Sequence, residues 1–412
     1  MATIRPFHAV MPAAEYVSRV AALPYDVYNR AEAYVEAKRD RLSFLNIDRP
    51  ETQFPEDQDM YAPEVYRKAS ALLEEECSEG ILCEEEEACF YLYELVMNGR
   101  SQTGIVCCAS IDDYLSGVIL KHENTREEKL QDRIRHVDVC GYQTGPIFLA
   151  FRSDPVIAGI IRAVRAREPL FAFVSEDGIT HRGWRIADPD TKTALQEAFG
   201  NVGHLYIADG HHRAESAVRA GLMRRERHPG WTGQEEFNFF LSVAFPEEEL
   251  MIMDYNRYVK VPAGMTDDEL FAALGRICSM KKCTMEDAPQ RKGTFQIYYG
   301  GQWYLAEFLP EMLRDDPVEG LDVSILQDRI LAPVLGIADP KTDERITFVG
   351  GIRGPEELKR LADAEGGIAF RMYPTSIGEL MAVADRGKLM PPKSTWFEPK
   401  LRSGLFLHRI GE

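Results

Sequence analysis

The segment at residues 205–213 has the residue types and the order of a phosphate site. It reads Leu-Tyr-Ile-Ala-Asp-Gly-His-His-Arg, so a predicted strand ends in Asp209-Gly210 and turns at once into an amphipathic helix. The first amides of a helix have no partner within it, and the positive end of the helix dipole favours an anion. Gly210 lets a ligand approach the backbone, and Arg213 can donate two parallel hydrogen bonds to phosphoryl oxygens.

His211 and His212 extend the chemistry of this segment, because a histidine can donate to an anion or exchange a proton near neutral pH. A purely structural turn with both imidazoles in solvent is the alternative interpretation. Two histidines with Asp209 could also bind a metal, but adjacent histidines rarely converge on one ion. Phosphate binding by Asp209, Gly210, His211, His212 and Arg213 is the first interpretation.

A second segment, Lys-His-Glu-Asn-Thr-Arg at residues 121–126, places a base, a hydroxyl and two cations at the start of a predicted helix. Thr125 and Glu128 have the spacing of a capping box, in which each side chain satisfies a backbone amide. His122 or Glu123 could act there as a general base. A solvated helix start explains the same residues equally well, so both interpretations stay open.

Two further segments carry weaker signals. Lys393, Ser394 and Thr395 follow two prolines and could present an ammonium group and two hydroxyls to a phosphate, although a surface loop is as good an interpretation. Asp26, in the sequence Pro-Tyr-Asp, could place a carboxylate in a cleft. A structural turn is the better interpretation of that tripeptide.

The charge of the chain argues against a polyanionic partner. Its 48 Lys and Arg against 66 Asp and Glu give a net charge of −18, which repels nucleic acid unless a basic patch is strongly focused. No apolar stretch approaches the roughly 20 residues of a membrane-spanning helix. Eight cysteines without a CxxC pair predict reduced thiols and no structural metal. We therefore expect a cytoplasmic protein that binds neither nucleic acid nor membranes.

The elements that must position these segments are predicted to form two regions. Residues 1–260 contain a β-hairpin at 88–97 and 103–110 and further strands, with helical patterns between some of them. Residues 261–412 form a smaller region with a capping box at Thr266, a second hairpin around Gly300-Gly301 and a helix at 323–335. The predicted fold class is α+β, a mixed α/β arrangement.

Several common nucleotide and hydrolase motifs are absent from the sequence. The chain has no GxxxxGK[ST] loop, no GxGxxG after a strand, no HRDxxxxN loop and no GxSxG elbow. The interpretations as a P-loop NTPase, a Rossmann enzyme, a protein kinase or an α/β-hydrolase therefore lose their main support.

Five ordered motifs resemble the family called domain of unknown function 1015, over nearly the whole chain. They lie at residues 23–27, 121–125, 209–213, 321–324 and 390–404. The Asp-Gly-His-His-Arg motif at 209–213 is also similar to the phosphate-binding motif of the ParB/sulfiredoxin superfamily, which includes free-serine kinases. This resemblance implies a ParB/sulfiredoxin-like N-terminal region in which the turn cradles the phosphates of a nucleotide.

The same resemblance implies phosphoryl transfer to the hydroxyl of free L-serine or a similar hydroxy acid, and thus a role in serine metabolism. ATP, ADP or pyrophosphate would be the donor, with Mg²⁺ as the cofactor. The other branches fit less well. Sulfiredoxins have a cysteine where His211 stands, and ParB proteins have Glu-Arg in place of His211-His212.

Under this kinase hypothesis the donor phosphates lie on residues 210–213, and Asp209 binds Mg²⁺ through its oxygens. His211 or His212 contacts the transferred group.

On the acceptor side, Glu123, beside His122, is the first choice of general base, and Asp26 is the second. A non-catalytic regulator that binds a nucleotide or phosphometabolite is the alternative function, and a homodimer is compatible with either.

Overall fold

In a computed structural model, which describes residues 1–125 and 127–411, the chain is divided into two compact units. Unit 1 comprises Met1–Leu250 and the C-terminal segment from Pro399, and unit 2 comprises Met251–Glu398. The predicted regions 1–260 and 261–412 differ from this division. The chain returns to unit 1 because the strand Leu407–Arg409 pairs with strands of the N-terminal part.

Both units are rich in short strands, which we number in chain order. They are β1 (Ile4–Arg5), β2 (Ala9–Pro12), β3 (Leu82–Glu84), β4 (Phe90–Met97), β5 (Arg100–Ser110), β6 (Ile119–Leu120), β7 (Tyr142–Gln143), β8 (Ile147–Phe151), β9 (Phe171–Val174), β10 (Thr180–Ile186), β11 (Leu205–Asp209), β12 (Phe239–Pro246), β13 (Ile252–Met253), β14 (Tyr255–Val259), β15 (Cys278–Cys283), β16 (Thr294–Tyr299), β17 (Gln302–Phe308), β18 (Ile346–Gly350), β19 (Ile368–Met372), β20 (Trp396–Phe397) and β21 (Leu407–Arg409).

The α-helices are numbered in the same way. They are α1 (Val17–Val20), α2 (Arg30–Ala37), α3 (Leu45–Asp48), α4 (Pro63–Ser78), α5 (Ile111–Leu115), α6 (Glu127–Cys140), α7 (Pro155–Arg165), α8 (Pro189–Asn201), α9 (His211–Arg227), α10 (Asp267–Leu274), α11 (Asp322–Leu326), α12 (Gly354–Glu365) and α13 (Ile377–Asp385). No described helix is both long and apolar enough to cross a bilayer.

The main sheet of unit 1 has the strand order β6-β11-β8-β12-β5-β4-β10-β9, with β1 also paired to β5. The pairs β6–β11 and β8–β12 are parallel, whereas β8–β11 is antiparallel. A second sheet, β3-β2-β21-β7, brings the C-terminal segment against the N-terminal strands. The fold is therefore mixed α/β, as the sequence predicted.

Helices α7, α8 and α9 bury their apolar faces in one core with the main sheet. The predicted 3.6-residue stripe of α9 is confirmed, because its apolar residues share this core. The buried helix residues are Ile157, Ile161 and Val164 of α7, Leu195, Ala198 and Phe199 of α8, and Ala214, Ala217 and Val218 of α9. This packing fixes the axis of α9, and with it the position of the helix start that follows β11.

Gly221 is the point of closest packing on α9. A Cβ at this position would overlap the carbonyl oxygen of Phe237 and lie 3.0 Å from Cδ1 of Ile111. We expect Gly221→Ala to lower the free energy of unfolding by roughly 1–3 kcal/mol, the usual cost of overpacking a core. Urea denaturation of the full chain measures this change.

Gly159 of α7 is the matched control, because a Cβ there meets nothing within 4 Å. Gly159→Ala should leave stability unchanged or raise it by up to about 1 kcal/mol, since alanine is the better helix former. Equal effects of the two substitutions would contradict the packing assigned to Gly221.

Unit 2 is built on an antiparallel sheet of order β15-β17-β16-β19-β14-β18, with β13 and β20 as a separate pair. The predicted hairpin is confirmed as β16–β17, with Gly300 and Gly301 at positive φ in its turn. The capping box of Thr266 with Glu269 is also confirmed. The helix predicted at 323–335 is shorter than expected, because α11 ends at Leu326 and a π-helical turn follows.

Candidate functional site

The turn between β11 and α9 is the centre of the candidate site. Gly210 stands between them at φ +91°, a left-handed conformation that favours glycine, and thereby lets α9 begin directly after the strand. A Cβ on residue 210 would lie 3.1 Å from Nε and Nη2 of Arg213. Within the described chain no side chain caps this helix start. Its first-turn amides therefore meet at the place predicted for an anion.

Asp209 ends β11, and both of its carboxylate oxygens accept hydrogen bonds. Oδ1 accepts from the backbone N–H of Gly210 at 2.8 Å, and Oδ2 accepts from Nζ of Lys400 at 3.0 Å. Burial raises the pKa of Asp209, but Lys400 and Arg213 outweigh it and hold the pKa below its ordinary value. The carboxylate is therefore charged and paired, and its predicted role as a Mg²⁺ ligand stays a prediction.

Arg213 lies against the loop that precedes β8. Its Nη1 donates to the carbonyl oxygen of Pro146 at 2.7 Å, and a Cβ on Gly145 would lie 3.6 Å from its Cδ and Nη1. Its Nε–H is buried and has no acceptor among the described residues. An unmet donor on a buried cation is costly unless a ligand supplies the acceptor. The guanidinium thus has one unmet donor, and its predicted role in phosphate binding stays a prediction.

His211 and His122 lie together beneath this turn. Their side chains are almost fully buried, and their ring centroids are 4.5 Å apart with the planes perpendicular. Burial lowers the pKa of His122 to about 4, with the Ile207 carbonyl and Asp209 acting in the opposite direction. Burial and the neighbouring His122 also hold the pKa of His211 well below its ordinary value.

Both imidazoles are therefore neutral at pH 7, because desolvation favours the neutral ring. The interpretation of His211 as a solvated histidine is wrong, because the residue is buried. Its predicted role in proton exchange stays a prediction. His212, the second residue of α9, is only half-buried.

Glu123 is half-buried and lies at the same place. One carboxylate oxygen and one ring nitrogen each of His122 and His211 all lie within 4.8 Å of one another. The two predicted segments meet because β6 pairs in parallel with β11, with Ile119 opposite Leu205. Strand β6 thus carries residues 121–125 to the end of β11. The Glu128 side chain and Arg126 lie outside the described residues, and so does the predicted capping box.

Asp26, the second choice of base, is exposed in the turn after Pro24. Its neighbour Tyr25 lines a small cavity of about 30 Å³ behind Arg213, together with Thr144 and Ser403. Sequence reasoning did not assign Tyr25, Thr144 or Ser403 to the site. Tyr25 and Ser403 fall within the motifs at 23–27 and 390–404, which was the available signal.

Lys393, Ser394 and Thr395 belong to unit 2, whereas Asp209 and Lys400 belong to unit 1. The hydroxyl of Ser394 is buried and donates to the carbonyl of Pro391 at 2.6 Å, so it stabilises its own turn. Lys393 is exposed, and its carbonyl accepts from Nη2 of Arg257 at 3.0 Å. The phosphate role of these three residues stays a prediction.

Three solved structures give a measure of the similarity to known folds. A free serine kinase in complex with AMP is 12% identical, with a TM-score of 0.36 over 72% of this chain and 91% of that chain. A conserved hypothetical protein from Pyrococcus furiosus is 14% identical, with a TM-score of 0.35 over 72% and 93%. SbnI from Staphylococcus aureus, truncated at its C-terminus, is 11% identical, with a TM-score of 0.35 over 72% and 85%. Similarities of this size are distant, so the chemistry of the site must be argued from the residues of this chain.

Comparison with curated proteins gives no match. The family model described as Protein of unknown function (DUF1015), by contrast, matches residues 4–324. That span is most of the chain and contains both segments of the candidate site, at 121–125 and 209–213. The chain therefore belongs to the DUF1015 family.

Proposed function

We propose that this protein is a kinase-type phosphotransferase that transfers a phosphoryl group to the hydroxyl of free L-serine or a similar hydroxy acid. The donor is a nucleotide, ATP or ADP, or another phosphoanhydride such as pyrophosphate. One observation carries the proposal: the uncapped start of α9 and the carboxylate of Glu123 meet at His211, within unit 1.

The start of α9 supports the donor side of the reaction. Phosphoryl transfer depends mainly on positioning and on neutralising the charge of the moving group. The first-turn amides and the Arg213 guanidinium supply donors, and the buried Nε–H of Arg213 has no acceptor in the described chain. Lys400 balances the charge of Asp209, which would otherwise repel a phosphate.

The neighbourhood of Glu123 supports the acceptor side. A hydroxyl that attacks a phosphoryl group must lose its proton, and a carboxylate within hydrogen-bond reach can take it. Burial lowers the pKa values of His122 and His211, so both rings are neutral at pH 7 and can hydrogen-bond to this hydroxyl. Asp26 is the second choice because it is exposed.

Mg²⁺ fits this site as an ion that arrives with the nucleotide. Mg²⁺ is usually held by one or two carboxylates together with substrate phosphates, and it keeps several of its waters. Asp209 has the right ligand chemistry, but Lys400 occupies its Oδ2. Asp209 would therefore hold the ion only if Lys400 moved from the carboxylate to the phosphates.

The test is a turnover assay of the full chain with Mg²⁺, each of ATP, ADP and pyrophosphate, and L-serine or L-threonine. Mass spectrometry detects the phosphorylated amino acid. We expect product with at least one donor, and a loss of at least about 100-fold in Glu123→Gln, as for removal of a general base. Arg213→Ala should lose both activity and donor binding.

Two control variants keep this test specific. Arg219 lies on α9, as Arg213 does, but it pairs with Glu215, and Glu127 is exposed at the start of α6. The variants Arg219→Ala and Glu127→Gln should therefore both keep wild-type activity. If no donor gives product, but a nucleotide raises the melting temperature of the wild type and not of Arg213→Ala, the protein is a binder. That outcome would contradict the kinase and assign the alternative function, a non-catalytic regulator that binds a nucleotide or phosphometabolite.

A further inference from the structure

We propose that His122, Glu123 and His211 bind one divalent transition-metal ion. Two ligand atoms at about 2.0–2.2 Å from one tetrahedral ion lie ~3.4 Å apart. The three potential ligand atoms lie within 4.8 Å of one another. A closure of at most about 1.4 Å, shared among three side chains of which Glu123 is only half-buried, brings them to that spacing.

The orientation of the His122 ring supports a role as a ligand. The residue is only 2% exposed, and its imidazole hydrogen-bonds to the backbone carbonyl of Ile207. Its Nδ1 is buried and has no hydrogen-bond partner among the described residues. A ligating histidine typically hydrogen-bonds through its other ring nitrogen to a carbonyl or carboxylate, which fixes the tautomer and leaves one lone pair for the metal. An ion would supply the partner that Nδ1 of His122 lacks.

His211 supplies the second nitrogen. It is 7% exposed, and its Nε2 faces the backbone N–H of His122 at 3.5 Å. This distance is at the long limit of a hydrogen bond, so the lone pair of Nε2 is poorly satisfied. A metal ion would satisfy the lone pair of Nε2 better than this long hydrogen bond does. The perpendicular rings allow both histidines to present a nitrogen to one point.

The donor set indicates the class of metal. Two imidazoles and one carboxylate suit Mn²⁺, Fe²⁺, Co²⁺ or Zn²⁺, whereas Mg²⁺ prefers oxygen ligands only. Three protein ligands also leave coordination positions open for a substrate or water. This ion is distinct from the Mg²⁺ predicted at Asp209, whose two oxygens already accept hydrogen bonds.

The inference does not depend on the proposed phosphotransferase. With the ion bound, Glu123 is a ligand; in the absence of the ion, the same carboxylate can serve as the general base of the proposed reaction. Metal binding can be measured with no substrate present, so failure of the metal site and failure of the kinase are separate results.

The experiment uses the full chain without an affinity tag, stripped with EDTA and titrated calorimetrically with Zn²⁺, Co²⁺ and Mg²⁺. We expect one equivalent of Zn²⁺ or Co²⁺ to bind, Mg²⁺ to bind far more weakly, and Co²⁺ to give the visible absorption of a nitrogen and oxygen site. Glu123→Gln and His211→Ala should each weaken Zn²⁺ binding at least about tenfold, because mutating even an outer-shell partner of a metal ligand typically costs about 10–100-fold in affinity.

His204→Ala, an exposed histidine outside the cluster, should bind Zn²⁺ like the wild type. Glu123→Gln keeps the size of the side chain, so its melting temperature without metal should match the wild type and exclude a folding defect. The proposal is overturned if no ion binds stoichiometrically, or if both variants bind as the wild type does. A thiolate charge-transfer band with Co²⁺ would place the ion at a cysteine and also overturn it.

Discussion

Arg133→Met is expected to lower the free energy of unfolding by roughly 3–5 kcal/mol, the usual cost of leaving one member of a buried ion pair alone. The guanidinium is 8% exposed, and it donates to the Asp132 carboxylate at 2.7–2.8 Å and to the carbonyl of Asp48 at 3.2 Å. It also lies 4.2 Å from the centroid of the Tyr25 ring. Methionine keeps much of the volume but leaves the Asp132 charge uncompensated. Urea denaturation of the full chain at constant pH measures the loss.

The pH dependence of this loss identifies its cause. In the wild type, burial raises the pKa of Asp132, but Arg133 and Tyr66 outweigh it and hold the pKa below its ordinary value. This contribution to stability is present above the ordinary pKa and disappears as the pH falls through the lowered one. In the variant the buried acid has a raised pKa, so stability decreases as the pH rises through that value.

The difference between wild type and variant should therefore be greater at about pH 7 than at about pH 5. Arg135→Met is the control, because Arg135 is exposed on the same helix, and it should change stability by less than about 0.5 kcal/mol. A loss that is independent of pH would mean that packing on Tyr25, and not the charge of Asp132, is what Arg133 provides.

Local patterns in the sequence predicted much of the fold. The hairpin predicted at 88–97 and 103–110, which forms as β4 and β5, the capping box of Thr266 and the apolar stripe of α9 depend on residues close to one another in the chain. The turn at Gly210 could be predicted for the same reason, because a strand, a glycine and an amphipathic helix follow directly. Each of these features is decided by periodicity or by a single dihedral angle.

The assembly of the site depends on contacts that no local pattern encodes. Residues 121–125 reach the turn through β6, a strand of two residues that is too short to show periodicity. Lys400 pairs with Asp209 across 191 positions of the chain, and its segment joins unit 1 only because β21 pairs with β2 and β7. Residues 390–404 resemble a family motif, which indicated that this segment matters. The resemblance did not indicate that Lys400 pairs with Asp209.

Burial was the other property that sequence reasoning could not supply. His211 occupies the first position of α9, where a side chain is often solvated, yet it packs against His122. With both imidazoles neutral, Arg213 and Lys400 are the cations that hold the pKa of Asp209 low beside the proposed phosphates. The charge balance of the site therefore depends on Lys400, a residue to which the sequence assigned no role.

Lys400→Met is expected to weaken nucleotide binding about 10- to 100-fold, the value of a charge-assisted hydrogen bond expressed as affinity. Nζ of Lys400 lies 3.0 Å from Oδ2 of Asp209, and its side chain is 15% exposed. Without the ammonium group, the Asp209 carboxylate would face the phosphates uncompensated at the start of α9. Calorimetric titration with ADP at fixed ionic strength measures the change, and the melting temperature of the variant without ligand checks its fold. Lys400→Arg should keep most of the affinity.

A second substitution in the same background distinguishes two roles of Lys400. If the ammonium group acts by balancing Asp209, then Asp209→Asn combined with Lys400→Met removes the repulsion and restores most of the lost affinity. If Lys400 instead contacts the phosphates directly, the double variant binds as weakly as Lys400→Met alone. We expect restoration, because Nζ of Lys400 lies 3.0 Å from Oδ2 of Asp209 and the unmet donor beside the turn belongs to Arg213. Phosphate binding then depends as much on the cancelled charge of Asp209, at the end of β11, as on the dipole of α9.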